Sequence, residues 1–178
     1  MRLFVGLELP REVGASLIAL SGRGIPGARW VQQENHHLTL RFIGETPAYQ
    51  AEEIDLALAG LKARGFELTL AGLGTFSKGG RATSLWVGVE QKQPLEHLRS
   101  KIETALQRIG LEPERRRFAP HVTLARLDGV PEVKLAGFVQ EHNLFRAPTV
   151  QVEHFTLFSS QLGKEQAVYT AEAEYPLT

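Results

Sequence analysis

His37-Leu38-Thr39-Leu40-Arg41-Phe42 and His121-Val122-Thr123-Leu124-Ala125-Arg126 are the two stretches whose reading organises this chain. Each alternates polar and apolar residues with a period of two, the rhythm of a strand that buries one face. The histidine and threonine of each stretch therefore project together, while Leu38, Leu40, Val122 and Leu124 point into a core. Arg41 falls in phase with His37 and Thr39. Strict alternation turns Arg126 away from Thr123; to share that face, the second strand would have to bulge or end there, or Arg126 reach round its edge.

The same rhythm recurs in RLFVGLEL, FELTLAGLGTF, SLWVGVE, TVQVEHFTLF and AVYTAEAEYPL. Helical spacing marks PLEHLRSKIETALQRIG, where Leu95, Leu98, Ile102, Leu106 and Ile109 form one stripe between Pro94 and a terminating Gly110. A second helix is expected from Tyr49 to Lys62. The element types repeat, and the interval from Val5 to His37 is 32 residues against 34 from Val87 to His121. This weak duplication predicts an α+β fold of two pseudo-symmetric lobes, each an antiparallel sheet with helices on its outer face and a cleft between them. The expected layout is one bilobal domain over 1–178, with repeats at about 1–90 and 85–178 that join near the polar segment Glu90–Pro94. LSGRGIPGAR and FSKGGRAT read as glycine-rich loops.

Of 178 residues, 43% are hydrophobic and 22% charged, an ordinary globular composition. Twenty basic and twenty acidic residues cancel, which excludes a global field able to coat long nucleic acid and leaves local contacts as the way to hold RNA. The absence of cysteine excludes thiolate catalysis, cysteine-ligated zinc and disulfides. The apolar part of MRLFVGLELP is too short for a signal peptide or a membrane span, so a cytoplasmic monomer is expected.

Two histidines facing each other across a cleft suit phosphoester hydrolysis. With an ordinary pKa near ~6.5, one imidazole can take a proton from water while the other protonates the departing oxygen. Thr39 and Thr123 can donate hydrogen bonds to the phosphate oxygens. Neither motif has a carboxylate in phase with its histidine, so no metal and no cofactor is expected. A single His-x-Thr is a weak signal, and a third, His154-Phe155-Thr156, lies where the duplication offers no partner; it reads as structural. His36, in the opposite phase to His37, reads as a satisfied strand or turn histidine, and His97 and His142 as solvated.

The segments NHHLTLRFIGE and APHVTLARL, with RLFVGLELP, GTF and LWVGV, resemble the 2H phosphoesterases, and within them the RNA 2',3'-cyclic phosphodiesterase branch, also called 2'-5' RNA ligase. The resemblance runs along nearly the whole chain. It implies hydrolysis of an RNA 2',3'-cyclic phosphate end, or of a cyclic nucleotide, to a 2'-phosphate, with His37 as proton donor, His121 as proton acceptor and Arg126 on the phosphate. It also places Phe42 by the substrate. Arg41 by phase, Arg115 and Arg117 in the run Arg115-Arg116-Arg117, and Phe76 as a stacking platform are further expected contacts. Trp30 and Trp86 are assigned to packing. The alternatives are reversible 2'-5' ligation at the same site and a module that binds a nucleotide without turning it over.

Overall fold

Alternation and helical spacing become fourteen elements in the computed structural model, which describes all 178 residues. In chain order these are β1 (Arg2–Glu8), α1 (Arg11–Leu20), β2 (Arg29–Trp30), β3 (His37–Glu45), α2 (Ala48–Ala59), β4 (Phe66–Leu68), β5 (Leu70–Lys78), β6 (Arg81–Val89), α3 (Lys92–Arg108), β7 (Val122–Arg126), α4 (Glu132–Glu141), β8 (Val150–Val152), β9 (His154–Leu162) and β10 (Ala167–Pro176). The segment FELTLAGLGTF splits at Thr69 because Gln91 intrudes there. Its side-chain carbonyl accepts from the Thr69 N–H at 2.7 Å and its amide donates to the Thr69 hydroxyl at 2.8 Å. Gly110, at φ +98°, ends α3 in the left-handed conformation that glycine adopts without strain.

Two antiparallel four-stranded sheets form, in the orders β10-β9-β1-β3 and β2-β7-β6-β5. The fold is α+β, as expected. The sheets nevertheless do not divide the chain at Glu90: β1 and β3 share a sheet with β9 and β10, while β7 joins β5 and β6. The small pair β4-β8 links the two crossing segments. The series β3-β1-β9 in one sheet thus matches β7-β6-β5 in the other, and β3 approaches β7 where the sheets meet. One apolar cluster runs through both, from Leu3, Val5, Leu38 and Leu40 to Val87, Leu106, Val122 and Leu124.

Both histidine strands carry a bulge at the same place. Opposite β1, Thr39 pairs with Gly6 and Arg41 with Val5, leaving Leu40 as an extra residue. Opposite β6, Thr123 pairs with Trp86 and Ala125 with Leu85, leaving Leu124. An extra residue reverses the facing of all that follow. Arg41 is therefore turned from the histidine face into the interior, contrary to the expectation from phase, and is only 7% exposed. Its Nε donates to Glu103 of α3 at 2.8 Å, one terminal nitrogen to the Phe42 carbonyl at 2.6 Å, and the other to Glu103 and to the Glu112 carbonyl. Burial raises the pKa of Glu103, but hydrogen bonds from Arg41, the Glu114 N–H and Gln107 outweigh it and hold the carboxyl at about 2.

Candidate active site

Each histidine sits at the start of its strand, or just before it, with the ring fixed from behind. The Nδ1–H of His37 donates to the Asn35 carbonyl at 2.9 Å, and that of His121 to the Ala119 carbonyl at 2.6 Å. A carbonyl only accepts, so Nδ1 carries a proton in both and Nε2 is left for chemistry. In His37, Nε2 lies 2.9 Å from the Thr39 hydroxyl. The rings are braced by aromatics from neighbouring strands. Phe4 and Tyr169 lie 4.8 and 5.0 Å from His37, and Phe76 stands edge-on to His121 at 4.8 Å with Trp86 at 5.9 Å. Gly74 makes room for Trp86, since a Cβ there would collide with the indole.

Both histidines line one cavity of about 510 Å³, together with Thr39, Thr123, Phe42 and Arg126. The bulge at Leu124 brings Arg126 onto the face of Thr123, and the bulge at Leu40 does the same for Phe42. Three guanidinium residues, Arg2, Arg116 and Arg126, line this cavity and no carboxylate does, which makes it a receptor for anions. Burial pushes the pKa of His37 down. The bond to Asn35 partly opposes this, and the charges of His121 and Arg126 lower it further. Burial also lowers His121, against the bond to Ala119.

Arg115 and Arg117 do not line the cavity; the middle member of the run does. The Glu114 carboxylate accepts from the backbone N–H of Arg116 at 3.0 Å and from its Nε at 3.3 Å, and the guanidinium lies 5.6 Å from the centre of the Phe42 ring. Phe76 is likewise outside the main cavity, in an adjoining hollow of about 290 Å³ that it shares with Trp86 and His121. Trp86 thus does more than fill the core. Trp30, as expected, packs on Phe138.

The other histidines separate clearly. His154 faces Glu8 at 3.6 Å and lines no part of the cavity. Glu8, His154 and Glu174 bring one donor atom each within 4.8 Å of one another, the only His/Asp/Glu group of this kind; none of the three lines the cavity, although Glu8 is the cross-strand partner of His37. His36 is not satisfied: it is 6% exposed and neither ring nitrogen has a partner. Burial first, then the neighbouring His37, holds its pKa at about 4. His97 is exposed, and His142 packs on Phe138 at 4.5 Å.

A family model described as the 2'-5' RNA ligase superfamily matches residues 25–164. The chain belongs to that superfamily. An Aeropyrum pernix protein named RNA 2',3'-cyclic phosphodiesterase is 35% identical over 153 residues, covering 85% of this chain and 86% of that one. A Thermotoga maritima protein of the same name is 32% identical over 176 residues, covering 95% and 91%. The crystal structure of Escherichia coli LigT complexed with 3'-AMP matches with a TM-score of 0.81 at 26% identity, over 99% of this chain and 97% of that one.

Several cavity residues of this 2'-5' RNA ligase superfamily member have no signal in the sequence. Arg2 and Phe4 look like ordinary strand residues, and Ser160 and Tyr169 lie more than a hundred positions from His37. They reach it only because β9 and β10 cross to the sheet of β1 and β3.

Proposed function

We propose that this chain hydrolyses RNA 2',3'-cyclic phosphate ends to 2'-phosphates by acid and base catalysis between His37 and His121. The observation that carries this reading is that both imidazoles line one anion-receiving cavity, each with Nδ1 tied to a backbone carbonyl and Nε2 left over. Water attacks phosphorus as His121 takes its proton. A new P–O bond forms, the bond to the 3'-oxygen breaks, and His37 protonates that oxygen, leaving phosphate on the 2'-oxygen. Each proton transfer contributes roughly 10²–10⁴-fold. Thr39, Thr123 and Arg126 hold the non-bridging oxygens, where charge grows in the transition state. Phe42 and Arg116 flank the terminal nucleoside, a ring and a guanidinium on which a base can stack. The chain's own side chains perform each step, so no metal is assigned a role.

The names borne by the Aeropyrum pernix and Thermotoga maritima relatives support the same substrate. The two repeats are read as one bilobal domain acting as a monomer in the cytoplasm, and no helix is long and apolar enough to cross a membrane. The test is turnover of cyclic-ended RNA and of a 2',3'-cyclic nucleotide in EDTA, with the phosphate isomer identified. A 2'-phosphate product is expected. Ligand bound without product would favour a binding module. Loss of turnover in EDTA, restored by a divalent cation, would overturn the metal-independent scheme. A 5'-hydroxyl strand joined faster than water is consumed would make ligation the main reaction.

A further inference from the structure

Away from the cavity, the face formed by α2, α3 and the segment after α2 carries two adjacent hollows of about 600 and 490 Å³ that share Lys62, His97 and Lys101. Arg108 lines the first and Arg64 the second. No Asp or Glu side chain lines either one, although the chain has as many acidic as basic residues; Thr178, the last residue of the sequence, lines the second. Of the acidic side chains on these two helices, Asp55 accepts from the Tyr175 hydroxyl at 2.6 Å and Glu103 is buried on Arg41, while Glu53 and Glu96 are exposed without lining either hollow. None of the four cations Lys62, Arg64, Lys101 and Arg108 has an ion-pair partner within 4.0 Å, though Lys101 Nζ donates to the Lys62 carbonyl at 2.6 Å. The walls include Leu56, 73% exposed, and Ile109.

We propose that this groove binds the sugar-phosphate backbone of an RNA, at a distance from the end that enters the cavity. The inference rests on the hydrolase reading for the RNA's cyclic end, but the groove itself stands on its own charge pattern. Unpaired cations strung along two joined hollows suit a polymer with a repeated negative charge better than a single small anion, which would engage one or two of them. Leu56 and Ile109 add an apolar shelf for a ribose or a base.

The segment that follows the groove in sequence also carries basic residues toward the cavity. Arg108 ends α3, and the following loop is pinned beside that helix by a bond from the Glu114 N–H to Glu103 at 3.0 Å. Arg115 and Arg117 are exposed on this loop, and Arg116 reaches the cavity. The two expected RNA contacts that miss the cavity thus lie, along the sequence, between Arg108 of the groove and His121 of the cavity.

Neutralising one phosphate of a single strand contributes about −0.7 to the slope of log affinity against log salt, so two lost contacts change it by roughly 1.4. The experiment compares the parent with Lys62→Glu/Lys101→Glu, and with Lys62→Gln/Lys101→Gln as the milder pair. Anisotropy with a labelled oligoribonucleotide across a salt series reads the groove, and kcat/KM on 2',3'-cyclic AMP reads the cavity. The expected result is oligonucleotide affinity reduced about tenfold at ~0.1 M salt, with the slope flattened by about that amount and cyclic AMP turnover unchanged. Unchanged oligonucleotide affinity and slope in folded variants would overturn the groove. So would polyglutamate competing at this face as well as RNA, which would mark a docking site for acidic protein. Absence of cyclic AMP turnover in the parent would sink the hydrolase reading instead, and the anisotropy series would still decide the groove.

Discussion

The strands β3 and β7 have the same backbone and carry different side chains. From the residue after the histidine, both run buried, half-buried, buried, buried, exposed, with a bulge at the third of these positions. The buried position after the bulge is Arg41 in β3 and Ala125 in β7, and the exposed one is Phe42 against Arg126. One strand therefore presents a ring to the cavity and the other a cation. The bulge supplies the geometry, and the residue beyond it determines what that geometry presents.

The comparison breaks most sharply at the histidines. His37→Ala and His121→Ala should each lower kcat/KM by about 10³–10⁴-fold with the melting temperature nearly unchanged, and the double variant should lose little more, because the two act in one step. Turnover retained in either single variant would dissolve the pairing. Next in size is the buried position after the bulge. Arg41→Ala leaves Glu103 without its cation and should cost about 3–5 kcal/mol in urea unfolding while the remaining folded enzyme keeps its turnover. A stable but inactive protein would return Arg41 to the site.

At the exposed position, Arg126→Ala should lower kcat/KM by about 10²-fold, more than Phe42→Ala, if the cation stabilises developing charge. It should also shift the pH profile. Both histidines are held below the ordinary ~6.5, so the free-enzyme profile peaks on the acid side of that value. Removing a positive neighbour raises the pKa of His37 and moves its limb toward higher pH; a limb that stays in place would refute the coupling. The smallest effect concerns His36, whose pKa of about 4 lies below its unfolded value. The unfolded chain binds that proton more readily, so its contribution is complete above ~6.5 and is lost as pH falls toward 4. His36→Leu should therefore stabilise by about 1 kcal/mol at pH 8 and by more at pH 5, read by thermal melts at the two values.

What the sequence reveals follows from which interactions are local. Alternation is written into each strand, so β1, β3, β6, β7 and β9 are legible, as is the α3 stripe ending at Gly110. The paired histidines and threonines are legible too, since the residues before the bulge keep their phase. Arg41 is not legible, because the extra residue at Leu40 exists only in the register against β1, which alternation along β3 does not encode. Choosing Arg116 over Arg115 and Arg117 depends on Glu114 taking its N–H, a contact that a run of three like residues conceals. β2, two residues long, is too short to show a period. His36 reads as satisfied in the sequence, and only the packed interior reveals that its nitrogens have no partner.

The interleaving of the sheets bears on how the enzyme comes into being. Arg2 is paired with Ser160, and Tyr169 of β10 rests on the ring of His37. A chain emerging from the ribosome has therefore made its first histidine long before it has made the wall that encloses it. Pairing across so many residues is slow to establish, on the order of milliseconds to seconds. Catalytic competence should arrive abruptly once β9 and β10 have been made rather than growing in by halves.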